Sequence, residues 1–167
     1  FAVPPLLCLV PRHPERFAEV ADQINSAGLR FRRRSEWLAT PQECAGLDLV
    51  LGDSMGEMPM YYSASDLVLM GGSLLPFGGQ NLIEAAACRC PVVMGPHTYN
   101  FAQAATAALS EGAAWRVDTL AQGMQSAHDL ALDRSGQARM AGSAIAFSTR
   151  HQGAVAKCVA LMRDLLR

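Results

Sequence analysis

Short apolar runs separated by helix-forming segments constrain this chain more than any other feature. Runs at residues 6–10, 47–51, 66–70, 91–95 and 113–117 are too short for helices. Gly, Pro or charge bounds them, as it bounds strands buried in a parallel sheet. A further strand is expected at 29–34. Helical spacing of apolar residues predicts helices at about 15–27, 57–65, 82–88, 101–110, 119–132, 136–148 and 152–166. In the first of these Phe17, Val20, Ala21 and Ile24 share a face, and Gly28 marks its end. Strands separated by helices pair in parallel through crossovers, so the expected fold is α/β, a doubly wound parallel sheet. The chain has 167 residues, 50% of them hydrophobic, which is enough for one sizeable core and predicts a single domain over 1–167.

In such sheets ligands bind beyond the carboxyl ends of the strands. Four unusual segments fall there: Pro11-Arg12-His13-Pro14-Glu15, residues 52–57, residues 71–81 and residues 95–100. The third is the most informative. It runs from an apolar strand through Gly71, Gly72, Gly78 and Gly79 into a run of helix formers from Leu82. Four glycines there remove side chains that would keep a ligand off the backbone, and the first helix amides then favour an anion such as phosphate. Asn81 and Glu84 lie three apart, on one helical face. A carboxylate at that place can accept two hydrogen bonds from a sugar cis-diol while Asn81 and the amides hold a phosphate. Asn-x-x-Glu is also the pattern of a helix cap, and the two roles are compatible. Arg12, at a strand end beside a phosphate cradle, would add charge-assisted bonds. His97, alone in a Pro-Gly loop, is ambiguous and reads more readily as a turn residue satisfied by backbone groups than as a site residue.

Other features narrow the classes. A net charge of −1 argues against a nucleic-acid binder and by itself names no partner. Arg30, Arg32, Arg33 and Arg34 read as a solvated strand edge, with a membrane-surface or acidic-partner role as the minority reading. The five cysteines, odd in number and mostly in apolar sequence, read as reduced, buried thiols of a cytosolic protein. Cys88-Arg-Cys90 lacks a second ligand pair at zinc spacing, so no metal site is expected. Asp53 and Glu57 form a metal pair only if folding brings them together. No signal peptide or membrane span is read. The chain opens at Phe1 and soon enters an apolar strand, as if cut from something longer.

Four motifs in order carry a resemblance: Val10-Pro11-Arg12-His13-Pro14-Glu15-Arg16-Phe17, Gly52-Asp53-Ser54-Met55-Gly56-Glu57, Gly71-Gly72-Ser73 with Gly78-Gly79-Gln80-Asn81-Leu82-Ile83-Glu84, and Met94-Gly95-Pro96-His97-Thr98-Tyr99-Asn100-Phe101. Together they resemble the C-terminal half of 3-deoxy-D-manno-octulosonic acid (Kdo) transferases, the lipid A glycosyltransferases, from about Leu6 onward. The resemblance implies the Rossmann-like C-terminal domain of a two-domain GT-B glycosyltransferase, with CMP-Kdo as donor substrate, CMP as product and no cofactor. It places Pro11, Arg12, Met55, Gly56, Glu57, Gly79, Asn81, Leu82, Ile83 and Glu84 around CMP. Departures from the commoner pattern are Ser54 for Thr, Phe77 for a polar residue, Gln80 for His, and Leu82-Ile83 where a Pro often stands.

In the intact enzyme the resemblance implies an inverting displacement at the Kdo anomeric carbon by a lipid A glucosamine hydroxyl, at the cytoplasmic face of the bacterial inner membrane. The general base and the lipid A contacts belong to the N-terminal half, so this chain alone is expected to be inactive. The terminal helix, here 152–166 with its stripe of Val155, Cys158, Val159, Met162 and Leu166, either packs wholly on this domain's own sheet or, as the resemblance implies, braces the other domain; in the second case the stripe lacks cover and the chain is expected to self-associate or fray. Alternatives are a GT-B domain for a UDP-sugar and a non-catalytic nucleotide-binding or interaction module.

Overall fold

The computed structural model describes residues 5–37, 44–151, 159, 162 and 163. The chain divides into two compact units, Phe1–Tyr61 and Tyr62–Arg167, each with a three-stranded parallel sheet. This is the α/β architecture that the alternating pattern predicts.

In the first unit β1 (Leu7–Leu9) leads through a 3-10 turn, Pro14–Arg16, into α1 (Phe17–Ser26). Then come β2 (Phe31–Arg33) and β3 (Leu49–Leu51), in the sheet order β1-β3-β2. The helix face anticipated from spacing is the buried one, since Val20, Ala21 and Ile24 pack with Leu49 and Leu51, and Phe31 lies against them. All three residues of β3 are buried, as a central strand requires. Helix α2 (Met58–Ala64) carries the chain onward.

In the second unit the order is β4 (Val68–Met70), β5 (Val92–Met94), β6 (Ala114–Arg116), with β5 central and wholly buried. Burial of each such side chain contributes about 1.5–3 kcal/mol. Helix α3 (Leu82–Ala87) follows β4, and α4 (Ala102–Ser110) follows β5 after the 3-10 turn Tyr99–Phe101. Helix α5 (Leu120–Leu132) starts at a capping box made by Thr119 and Gln122. Helix α6 (Arg134–Arg150) runs past both ends of the helix expected at 136–148, and at its start Asp133 caps it by accepting from the Gly136 N–H. It packs on α3, with Met140, Ala144 and Phe147 buried.

The expected terminal helix at 152–166 lies largely outside the described residues. Val159 and Met162, two members of its apolar stripe, are helical and 42% and 61% exposed. Among the described residues no helix is long and apolar enough to cross a membrane. Among the described residues Cys8, Cys44, Cys88 and Cys90 are thiols and only Cys90 is buried, while Cys158 lies outside them. Burial, then Cys88 and Asp66, push the Cys90 thiol up to about 12, so it stays protonated.

Candidate functional site

In the first unit two loops leave the sheet at one edge. β1 and β3 are parallel neighbours with Leu9 beside Leu51, and the Gly52 N–H donates to Leu9 O at 2.8 Å. Pro11 is half-buried after β1 and Arg12 is exposed. Among the described residues Arg12 has no ion-pair partner, so its guanidinium is open to a ligand. After β3, Met55 is 66% exposed, Gly56 is exposed with a φ of +77°, and Glu57 is half-buried.

Charge fixes this second loop. Arg34 Nη2 donates to Glu57 Oε1 at 2.7 Å, and Ser54 Oγ donates to Glu57 Oε2. Ser54 Oγ also lies 2.7 Å from the Tyr61 hydroxyl. One turn earlier, Asp53 accepts from Ser35 N at 2.8 Å and Ser35 Oγ at 2.6 Å, with Arg33 Nη1 at 3.6 Å. Burial pushes the Asp53 carboxyl up, but the bonds from Ser35, with Arg33, outweigh it and hold the group below its ordinary value. The reading of the arginine cluster as a solvated edge is therefore corrected. Arg30 does sit in solvent, paired with Asp48, but Arg33 and Arg34 turn inward onto Asp53 and Glu57. Each of these carboxylates has its own arginine, so the pair offers a cation little uncompensated charge. Among the described residues no three His, Cys, Asp or Glu side chains cluster as a metal site.

In the second unit the candidate residues lie on the loop between β4 and α3, meshed with the loop after β5. Ser73 is the pin: its Oγ donates to Met70 O and accepts from Gly95 N at 2.7 Å, while Ser73 O accepts from His97 N at 2.9 Å. Gly78 O accepts from Asn100 N, Phe77 O from Asn100 Nδ2, and Pro76 O from the Tyr99 hydroxyl. These contacts change the account of the glycines. Gly78 and Gly79 have φ of +87° and +82°, and a Cβ on them would meet Asn100 and the backbone of His97 and Thr98. The second loop, not a ligand, occupies that space. Only Gly71 keeps open space where its side chain would be, since a Cβ on Gly72 would meet Gln80.

At the helix start Asn81 takes the capping role. Asn81 Oδ1 accepts from Ile83 N at 3.2 Å as the cap of α3, and Asn81 Nδ2 donates to Glu84 Oε1 at 3.0 Å. Glu84 is exposed, while Leu82 is 2% exposed with its side chain in the core, so Leu82 can face a ligand only through its backbone. Ile83 is half-buried. Because α3 has six residues, its dipole is weak, and an anion there would be held by individual amides.

Three residues escaped the sequence reading. Arg34 is one. Arg116, at the end of β6 beside Met94, donates through Nη2 to Thr98 Oγ1 at 3.0 Å, which sets a cation at the carboxyl edge of the second sheet. Tyr62 is buried; burial, then the Glu84 carboxylate, push its phenol up to about 12, so it stays a donor. In both units, then, the carboxyl edge presents guanidinium groups and carboxylate acceptors, the chemistry that grips a phosphate and the hydroxyls of a sugar.

No protein-family model matches the chain. It is 42% identical to a 3-deoxy-D-manno-octulosonic acid transferase of Bordetella pertussis over 97% of its own length and 37% of that protein. It is 34% identical to the transferase of the same name from Haemophilus influenzae, over 96% of its length and 37% of the relative. The chain thus spans little more than a third of these relatives. Among solved structures it matches the C-terminal CMP-Kdo binding domain of WaaA from Acinetobacter baumannii, with a TM-score of 0.77 and 30% identity, covering 84% of this chain and 72% of that one.

Proposed function

The chain belongs to the 3-deoxy-D-manno-octulosonic acid transferase family, and from that premise we propose that it is the part of such an enzyme that binds the donor CMP-Kdo. The likeness in fold and sequence to a domain that binds CMP-Kdo carries this reading. Taken by itself, the first unit offers Pro11, Arg12, Met55, Gly56 and Glu57 as candidate contacts, with the exposed Arg12 suited to a phosphate. Taken by itself, the second unit offers Gly79 through its main chain, Asn81, Leu82, Ile83 and Glu84, with the exposed Glu84 carboxylate suited to ribose hydroxyls.

In the whole enzyme an acceptor hydroxyl of a lipid A precursor attacks the Kdo anomeric carbon with inversion. The bond from that carbon to the phosphate oxygen breaks, CMP leaves, and the hydroxyl proton passes to a base outside this chain. Within the second unit Asn81 and the amides at the start of α3 stabilise charge gathering on the leaving phosphate. CMP-Kdo enters as substrate and no cofactor takes part. The chain alone catalyses no transfer, and the intact enzyme works at the cytoplasmic face of the inner membrane.

Calorimetric titration with CMP tests the proposal. Saturable binding is expected at millimolar CMP or below, lost in Glu84→Ala and competed more weakly by UDP than by unlabelled CMP. A chain that CMP does not saturate is an interaction module. One that prefers UDP belongs to a different donor.

A further inference from the structure

Glu57 presents a difficulty for any nucleotide site. It lies on a loop assigned to CMP, and a bare carboxylate beside a phosphate repels it. In this chain the charge is not bare. Arg34 Nη2 donates to Oε1 at 2.7 Å and Ser54 Oγ donates to Oε2, so both oxygens are fixed and the net charge of the pair is cancelled. The Ser54 hydroxyl is itself set by Tyr61, 2.7 Å away. The guanidinium carbon stands 5.6 Å from the centre of the Trp37 ring, a cation–π contact that orients the fork. The side chains of Arg34 and Glu57 are 24% and 30% exposed, so water screens the pair less than it would on an open surface.

The cluster also carries an unexpected deficit. Among the described residues three buried side-chain nitrogens lack a hydrogen-bond partner, and two of them are Arg34 Nε and Trp37 Nε1. Buried donors without acceptors are destabilising. Arg34 is held in place despite that cost, by Glu57 and the Trp37 ring.

Resting on the CMP-binding reading, we propose that Arg34 is a positioning residue of the nucleotide site. It cancels the charge of Glu57, whose remaining lone pairs then accept hydrogen bonds from neutral N–H or O–H groups of the nucleoside without repelling the phosphate. Arg34 itself touches no ligand in this scheme. It acts through Glu57.

The test compares CMP with cytidine, which lacks the phosphate, by calorimetry on the chain and on Arg34→Ala, Glu57→Gln and the double variant. Arg34→Ala exposes the Glu57 charge and is expected to weaken CMP by about tenfold or more but cytidine much less. In the Glu57→Gln background no charge remains to be cancelled, and removing Arg34 is expected to change CMP affinity by less than about twofold. Equal losses for CMP and cytidine, or the same loss with Glu57 replaced, would mean that Arg34 supports the fold or meets the ligand directly, and would overturn the proposal. If Arg34→Ala does not fold, as judged by circular dichroism, Arg34→Gln gives the same comparison with less lost packing. Wild-type chain that binds neither compound overturns the nucleotide reading and this role with it; wild type that binds CMP, with Arg34→Ala binding equally well, overturns the role alone.

Discussion

The loop at residues 52–57 and the paired loops at 71–81 and 95–101 stand at equivalent places, each beyond the carboxyl ends of a parallel sheet, yet they are held by different forces. In the first, Arg33 and Arg34 reach from the end of β2 to Asp53 and Glu57, and two serines complete the network. In the second, no ion pair ties the loops together among the described residues. Ser73, Asn100 and main-chain groups bond across, and glycines let the two backbones touch. Charge tolerates small displacement and depends on pH and salt; backbone contact depends on neither but tolerates no added atom. The first loop is therefore tunable and the second rigid.

The sharpest way to break the rigid side is Gly95→Ala. A Cβ there would overlap Ser73 O and lie 2.7 Å from the Leu74 Cα, both main-chain atoms that cannot swing aside. Overpacking of this kind costs about 1–3 kcal/mol, occasionally more, and a contact made only to backbone belongs at the top of that range. Thermal and urea unfolding are expected to show a loss of about 3 kcal/mol or failure to fold. A fall below about 0.5 kcal/mol would mean that the loops part easily and that their rigidity is overstated.

This contrast also marks what the sequence made legible. Alternating apolar runs and helical faces located all six described strands and the buried face of α1, because those signals are local and periodic. Strand lengths came out longer than observed, since flanking apolar residues continue the pattern after pairing ends. Glycine roles were not legible. Gly78 and Gly79 looked like access for a ligand, but the atoms that fill their space come from residues 97–100, about twenty positions away. Arg33 and Arg34 were hidden for a related reason: four arginines in five positions look like a solvated edge until two acidic groups from another loop are brought to them. Acidic residues at 53 and 57 facing a paired arginine were the available signal, and it becomes meaningful only once β2 and β3 are known to be neighbours. Asn81 and Glu84 were legible because the cap is contained within four residues.

Tuning by charge is tested at Asp53, whose side chain is only 4% exposed. Its carboxyl is held below its ordinary value, so the charged form is favoured by folding. Such a group contributes stability that is fully present above the unfolded value of about 3.9 and is lost as pH falls through the lower folded value. Asp53→Asn is expected to be less stable than wild type by about 1–2 kcal/mol at neutral pH, in the range for hydrogen bonds to a charged group. The gap is expected to close as pH drops below about 4, because wild type then loses what the variant never had. Urea titrations from pH 7 to pH 3 measure it. A gap that does not change with pH would assign the Asp53 contribution to shape, like that of Gly95, and erase the difference between the two loops.

The smallest expected effect on stability falls where capping and binding share one residue. Asn81 accepts from Ile83 N–H and donates to Glu84, so its removal touches both the start of α3 and the carboxylate proposed to meet ribose. Asn81→Ala deletes the cap and is expected to cost about 1 kcal/mol in stability. Asn81→Ser restores an acceptor of nearly equal capping strength, and its stability is expected within about 0.5 kcal/mol of wild type. The serine hydroxyl is too short to replace the amide that reaches Glu84 and, in the proposed site, the phosphate. If Asn81 does no more than cap, Asn81→Ser binds CMP as wild type does. If it also positions Glu84 and meets the phosphate, affinity falls by about tenfold while the melting temperature recovers, because one hydrogen bond to a charged group is worth about 1.5 kcal/mol or more. Stability and affinity that move together through Asn, Ser and Ala would make the helix start a structural device, as Gly78 proved to be; their separation would make it a place in the second unit where the rigid loops hand a movable side chain to the ligand.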